Sequence, residues 1–209
     1  MKRLRNVLLL ALIGALALEG WLHWREHRFD AAIAQAAKRY QLEPALIRAV
    51  IRQESDFQPD VRGRAGELGL MQIREPAALE WASAEHIKKF GHADCLDPLT
   101  NVLAGTWYLK KVLRHYSQAD DPLPFGLAEY NAGRGNVLKW LAGDGATNSA
   151  AFIGRIGFPG TRAYVHPTLP GLPARQSLVM ARIAVSSLAR SASRWGSVAS
   201  RGTQMGSPR

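Results

Sequence analysis

Cysteine is nearly missing from this sequence. The one residue, Cys95, has no partner for an intramolecular disulfide, and no Cys-x-x-Cys or paired Cys/His spacing offers a zinc site. Stability must therefore come from packing. Acids are scarce at both ends: Asp and Glu number 17 against 27 Lys and Arg, a net charge of +10. Lys2, Arg3 and Arg5 supply three of those charges. Arg175, Arg182, Arg190, Arg194, Arg201 and Arg209 supply six more, with no acid after residue 164. Residues 6–164 are left at +1, so the high charge belongs to the tails and the core offers no nucleic-acid surface. Period-two alternation never runs beyond a few residues, which argues against sheet and for a mainly α fold. Glycine and proline show no period, and with 47% apolar and 21% charged residues the chain is neither collagenous nor disordered. Its 209 residues leave room for one globular domain plus appendages.

Three segments follow. Residues 1–28 open with Lys2-Arg3-Leu4-Arg5 and a 12-residue apolar stretch over 7–18, the pattern of an export signal. As a helix that stretch spans only ~18 Å, short of a ~30 Å hydrocarbon core. Two readings stand: cleavage at Ala15-Leu16-Ala17, or an uncleaved signal anchor extended by Trp21 and Trp24, with Glu19 weighing against it. Either places the following domain outside the cytoplasm, in the periplasm or on the outer face of the inner membrane. Residues 29–165 form the expected domain. Asp30 is a candidate cap for a helix over 31–40, where Ile33, Ala36, Ala37 and Tyr40 share one face. Pro44 starts a helix to Glu54, and helices are also expected over 68–82, 98–116, 122–131 and 135–142. Residues 166–209, rich in Ser, Ala and Arg after Pro167, Pro170 and Pro173, form a basic tail.

Chemistry concentrates at Glu54. Leu46, Ile47, Val50 and Ile51 make the apolar stripe of its helix, and Glu54 lies four residues after Val50 and three after Ile51. A carboxyl on that side of the last turn is pressed toward its protonated form by desolvation, the condition for a proton donor near neutral pH. The plainer alternative is a glutamate that reaches past the helix end into water. Further on, Gly66 and Gly69 allow close backbone approach beside Met71 and Gln72, a soft apolar group next to an amide, and Ala128-Glu129-Tyr130-Asn131-Ala132-Gly133 ends a helix with a phenol beside an amide. Aromatic faces and amides are the side chains of a sugar cleft.

Four segments in order carry a resemblance: Ala45-Leu46-Ile47-Arg48-Ala49-Val50-Ile51-Arg52-Gln53-Glu54-Ser55, Gly69-Leu70-Met71-Gln72, Ala128 to Gly133, and Phe158-Pro159-Gly160-Thr161-Arg162-Ala163-Tyr164-Val165. With Asp97-Pro98, Asn101 and Tyr108-Leu109 between the second and third, the stretch from Phe29 to Val165 resembles the soluble lytic transglycosylases. The resemblance implies a lysozyme-like α fold of the goose-type lysozyme and lytic transglycosylase kind. It also implies peptidoglycan glycan strands as substrate and cleavage of the β-1,4 bond between N-acetylmuramic acid and N-acetylglucosamine. Its catalytic acid falls on Glu54. Ser55, Met71, Gln72, Tyr130 and Asn131 match substrate-cleft positions, with Tyr130 at the tyrosine that hydrogen-bonds the acid. Gly69, Arg162 and Tyr164 match supporting positions. No cofactor and no metal are implied, and the expected state is a monomer. The sequence departs from the family at Arg74-Glu75-Pro76-Ala77, at Glu129, where a small residue is commoner, and at Gly160, where Glu is common. The competing enzyme reading is a muramidase using water, for which Asp56, Asp60, Glu67 and Glu129 are conceivable second carboxylates, each expected as a turn or surface residue. A non-catalytic glycan-binding scaffold would be marked by loss of the acid. His23 and His27, four apart, lack a third metal ligand nearby, and Trp81, Trp107 and Trp140 are expected to pack in the core.

Overall fold

Proline and left-handed turns set most of the element boundaries. The computed structural model describes residues 2–141 and 143–166, so the basic tail expected over 166–209 lies outside the described residues beyond His166. The chain divides into two compact units, Met1–Lys110 and Lys111–Arg209. Among the described residues there is no named strand, only isolated bridges from Leu68 to Arg62 and to Ile73.

In the first unit α1 (Lys2–His27), α2 (Asp30–Tyr40), α3 (Pro44–Ser55), α4 (Glu75–Ala84) and the start of α5 (Pro98–Arg114) follow in order. The expected faces are the ones that bury. Ile33, Ala36 and Ala37 of α2 and Leu46, Ile47, Val50 and Ile51 of α3 are all core residues. Pro44 occupies the first turn of α3, where its missing N–H would have had no partner. Asp30, however, is not the cap of α2. Phe29 holds that position, and the Asp30 carboxylate instead bonds Arg48 and His27. Helices α2 and α3 end on Gln41 and Asp56 in the left-handed conformation, each returning its N–H to a carbonyl of the last turn.

The helix expected over 68–82 forms only in its second half. Gly69 and Gln72 adopt φ of +72° and +46°, and Leu68 and Ile73 exchange both backbone hydrogen bonds, so 68–73 is a closed turn. The apolar positions are buried as a helical pattern would have them, but the backbone cannot be helical. Helix α4 then starts with Pro76 in its first turn. Leu68, Ile73, Ala77, Ala78, Trp81, Ala82, Cys95 and Ala104 form one cluster. Burial pushes the Cys95 thiol up to about 12, keeping it protonated and inert.

In the second unit α6 (Pro122–Ala132) packs against α7 (Arg134–Trp140), α8 (Ser149–Arg155) and α9 (Pro159–Tyr164). Asp121 caps α6 through the N–H of Leu123. Residues from Pro122 to Glu129 on α6 are nearly all buried, as befits a helix surrounded by others. Gly126 permits this, because a Cβ there would stand 2.5 Å from a Leu113 methyl. Phe125 stacks between Tyr116 and Phe152 at centroid distances of 5.3 and 4.2 Å.

Candidate active site

Glu54 sits half-buried in the last turn of α3, one residue before the buried Ser55 and two before the turn at Asp56 and Phe57. Its surroundings in the first unit are built by hydrogen bonds to backbone. The Ser55 hydroxyl donates to Leu70 O at 2.8 Å and to Ile51 O at 3.2 Å, which fastens the Gly69–Gln72 turn to the end of the helix that carries Glu54. Ser55 is thus placed to position the acid's helix, with its hydroxyl turned inward.

Met71 and Gln72 follow on that turn. Met71 is fully buried: its N–H donates to Asn101 Oδ1 at 2.7 Å, and its sulfur lies 3.7 Å from the Thr106 hydroxyl. The thioether expected as a cleft wall is therefore part of the core beneath the turn. Gln72 is half-buried, and its Nε2 donates to Val61 O at 3.1 Å and Gly69 O at 2.8 Å. These bonds hold the side chain against its own loop and account for the left-handed backbone at a non-glycine residue. His92 adds a contact of 3.0 Å from Nε2 to Ile73 O.

Asn101 is the residue that sequence reasoning undervalued. Fully buried on α5, it accepts from Met71 N–H and donates to Leu68 O and Cys95 O, all at 2.7 Å. One amide thereby shapes the turn that carries Met71 and Gln72. Gly69 is required beside it, since a Cβ there would come 2.3 Å from Asn101 Nδ2 and 2.7 Å from Cys95 O, on a backbone already at φ +72°. One turn along α5, Gly105 leaves room for Met71 in the same way. The available signal was an Asn interrupting an apolar helix face.

In the second unit Tyr130 is half-buried near the end of α6 and Asn131 is exposed. The Thr161 hydroxyl donates to Asn131 Oδ1 at 2.7 Å, so α9 orients that amide. Arg162 donates to the carbonyls of Ile156 at 2.7 Å and Gly154 at 3.3 Å, closing the end of α8, and Tyr164 is buried. Both residues of the last motif support the fold locally.

Glu129 departs from its expected place. It is 2% exposed and accepts hydrogen bonds from Tyr116 Oη and His115, with Arg134 at 3.5 Å. It is neither a turn nor a surface residue, and its carboxylate is engaged by these three side chains. The burial of its α6 neighbours supplies the reason: a charge on that helix needs partners. Asp56 pairs with Arg25 at 2.8 Å, and Glu67 accepts from Ala65 N–H and faces Arg74 at 3.7 Å. Trp81 and Trp140 are buried and Trp107 is half-buried. The rings of His23 and His27 lie 4.2 Å apart, and His27 pairs with Asp30. Among the described residues no three His, Cys, Asp or Glu side chains are grouped to hold a metal ion.

Comparison with known proteins gives the architecture a family. The soluble lytic murein transglycosylase of Escherichia coli (strain K12) is 36% identical over 155 residues, covering 71% of this chain and 23% of its own length. The membrane-bound lytic murein transglycosylase F of Desulfosudis oleivorans is 36% identical over 119 residues, 56% of this chain and 24% of that protein. The chain thus spans about a quarter of the length of these relatives. The X-ray structure of the Pseudomonas aeruginosa lytic transglycosylase Slt, an inactive mutant with glutamate replaced by glutamine, superposes with a TM-score of 0.58 at 29% identity. That match covers 76% of this chain and 24% of the other. The transglycosylase SLT domain model matches residues 31–153. By that match, which covers more than half of its length, the chain belongs to the transglycosylase SLT domain family.

Proposed function

We propose that this chain is an exported peptidoglycan lytic transglycosylase in which Glu54 acts first as acid and then as base. The observation that carries the reading is the placement of Glu54. It stands half-buried at the end of α3, on a helix terminus fixed by Ser55 to the turn of Met71 and Gln72, within a chain of the SLT family. Glu54 protonates the leaving glycosidic oxygen as an oxocarbenium-like state forms. The carboxylate then takes the proton of the muramic acid 6-hydroxyl while that oxygen closes on C1. The nucleophile is part of the substrate and is held at high effective molarity by the ring, so no second carboxylate is needed. Gln72, whose amide hydrogens hold its own loop, and Tyr130 and Asn131 are assigned to the sugar cleft by the motif resemblance, while Ser55, Gly69, Met71 and Asn101 hold the turn. The relatives named for murein cleavage, and the inactive glutamate-to-glutamine mutant among them, support this assignment.

The test is Glu54→Gln in the full chain. The amide keeps the shape but cannot donate a proton to the leaving oxygen, so release of soluble fragments from purified peptidoglycan should fall by at least ~10²-fold with folding unchanged. Undiminished release would remove Glu54 from the chemistry.

A further inference from the structure

Helix α1 runs unbroken from Lys2 to His27, and only Arg28 and Phe29 separate it from α2. Between Arg5 and Arg25 lie nineteen residues whose one charged member is Glu19, a helical length of ~28 Å that matches a ~30 Å hydrocarbon core. Its most apolar 18-residue window has a mean hydropathy of 1.7, and none of it is buried in the protein. Val7, Leu8, Leu9, Leu10, Leu12 and Leu18 are all exposed, and at 100° per residue they lie around the whole helix. A second protein helix would cover one stripe; a bilayer covers all of them. At the far end Arg25 stacks over Trp21 at 4.9 Å and Arg28 over Trp24 at 4.8 Å, an aromatic and basic collar of the kind found at membrane interfaces.

The last turn of α1 is also tied into the folded unit. Arg25 pairs with Asp56 at 2.8 Å, Glu26 with Arg52 at 2.7 Å, and Arg48 donates to Glu26 O at 2.9 Å. Arg28 donates to Phe57 O at 2.9 Å. Asp56 and Phe57 are the two consecutive left-handed residues, φ +50° and +61°, that close the helix of Glu54. Cleavage after Ala17 would leave Leu18, Trp21, Leu22 and Trp24 exposed on a stub held to the domain, an apolar patch with nothing to cover it.

We propose that α1 is a retained membrane anchor whose last turn is an integral part of the catalytic unit, gripping the turn after α3 so that the Glu54 end of that helix is held at the lipid surface without a flexible linker. The catalytic role of Glu54 rests on the function proposed above; the anchor does not, and its test uses no activity. The full-length protein should pellet with membranes after alkaline carbonate and have an intact mass that includes the residues before Ala17. A soluble protein lacking residues 1–17 would overturn retention, as would a soluble oligomer associated through α1. In nanodiscs containing bromine-labelled lipid, tryptophan fluorescence should be quenched in the wild type and largely relieved in W21F/W24F; equal quenching in both would overturn the collar. In R25A/E26A, membrane attachment should persist while amide exchange in residues 24–30 and 55–58 speeds up about tenfold. Unchanged exchange there would overturn the grip.

Discussion

Three hydrogen bonds converge on the Asn101 amide in a place that water does not reach. Asn101→Ala should therefore lower stability by about 3 kcal/mol, since each buried group left unpaired costs about 1–3 kcal/mol and the losses overlap. Gly69→Ala should cost a similar amount, about 2 kcal/mol or more, through the positive φ and the collision with that amide. Urea titration of both variants checks this, and losses under about 1 kcal/mol would mean the turn is held from elsewhere. The helix end that carries Glu54 and the need for glycine at 69 were legible because their signals are local, a helix stripe and a spacing. The partnership of Asn101 with Met71, thirty positions away, was not. Side-chain direction was also beyond reach: Ser55, Met71 and Glu129 were read by chemical type, and the structure turns all three inward.

Asp30 on α2 and Glu85, the residue that follows α4, are carboxylates whose charge is part of the packing. Burial opposes ionisation of Asp30, but hydrogen bonds from His27 and Arg48 outweigh it and hold the carboxyl below its ordinary range. Glu85 behaves alike: burial opposes, while Arg39 and Tyr40 prevail and lower it. Tyr40 itself is pushed up to about 12, chiefly by burial, so it stays a donor to Glu85. A depressed folded value means the stabilisation is present above the unfolded value of about 4 and is lost as pH falls through the folded one. Thermal stability should thus drop on acidification below about pH 4, with a shallower fall in the double variant Asp30→Asn, Glu85→Gln. An identical slope would show that these pairs are too screened to matter. The boundaries of α2, α3, α5, α6 and α7 fell within a few residues of their sequence signals, because proline starts and apolar stripes are short-range. The turn at 68–73 was missed because its burial pattern imitates a helix while glycine and long-range hydrogen bonds decide its backbone.

Across the chain, the ordered motifs carried the family assignment, and the SLT match over residues 31–153 lies within the 29–165 stretch marked out by composition and motif order. The short helices α8 and α9 were not foreseen, for six or seven residues hold too little periodicity to read. The contacts on which the proposed anchor rests also lay outside sequence reach, because Arg25, Glu26 and Arg28 meet partners about thirty residues away. In the proposed reaction one acid, Glu54, serves both proton transfers, with the substrate's own 6-hydroxyl as nucleophile. Mass spectrometry of the fragments released from purified peptidoglycan reads this directly. The fragments should end in 1,6-anhydro-N-acetylmuramic acid, ~18 Da lighter than hydrolytic ends because no water is added. Reducing-end muramic acid as the main product would contradict it and make the protein a muramidase.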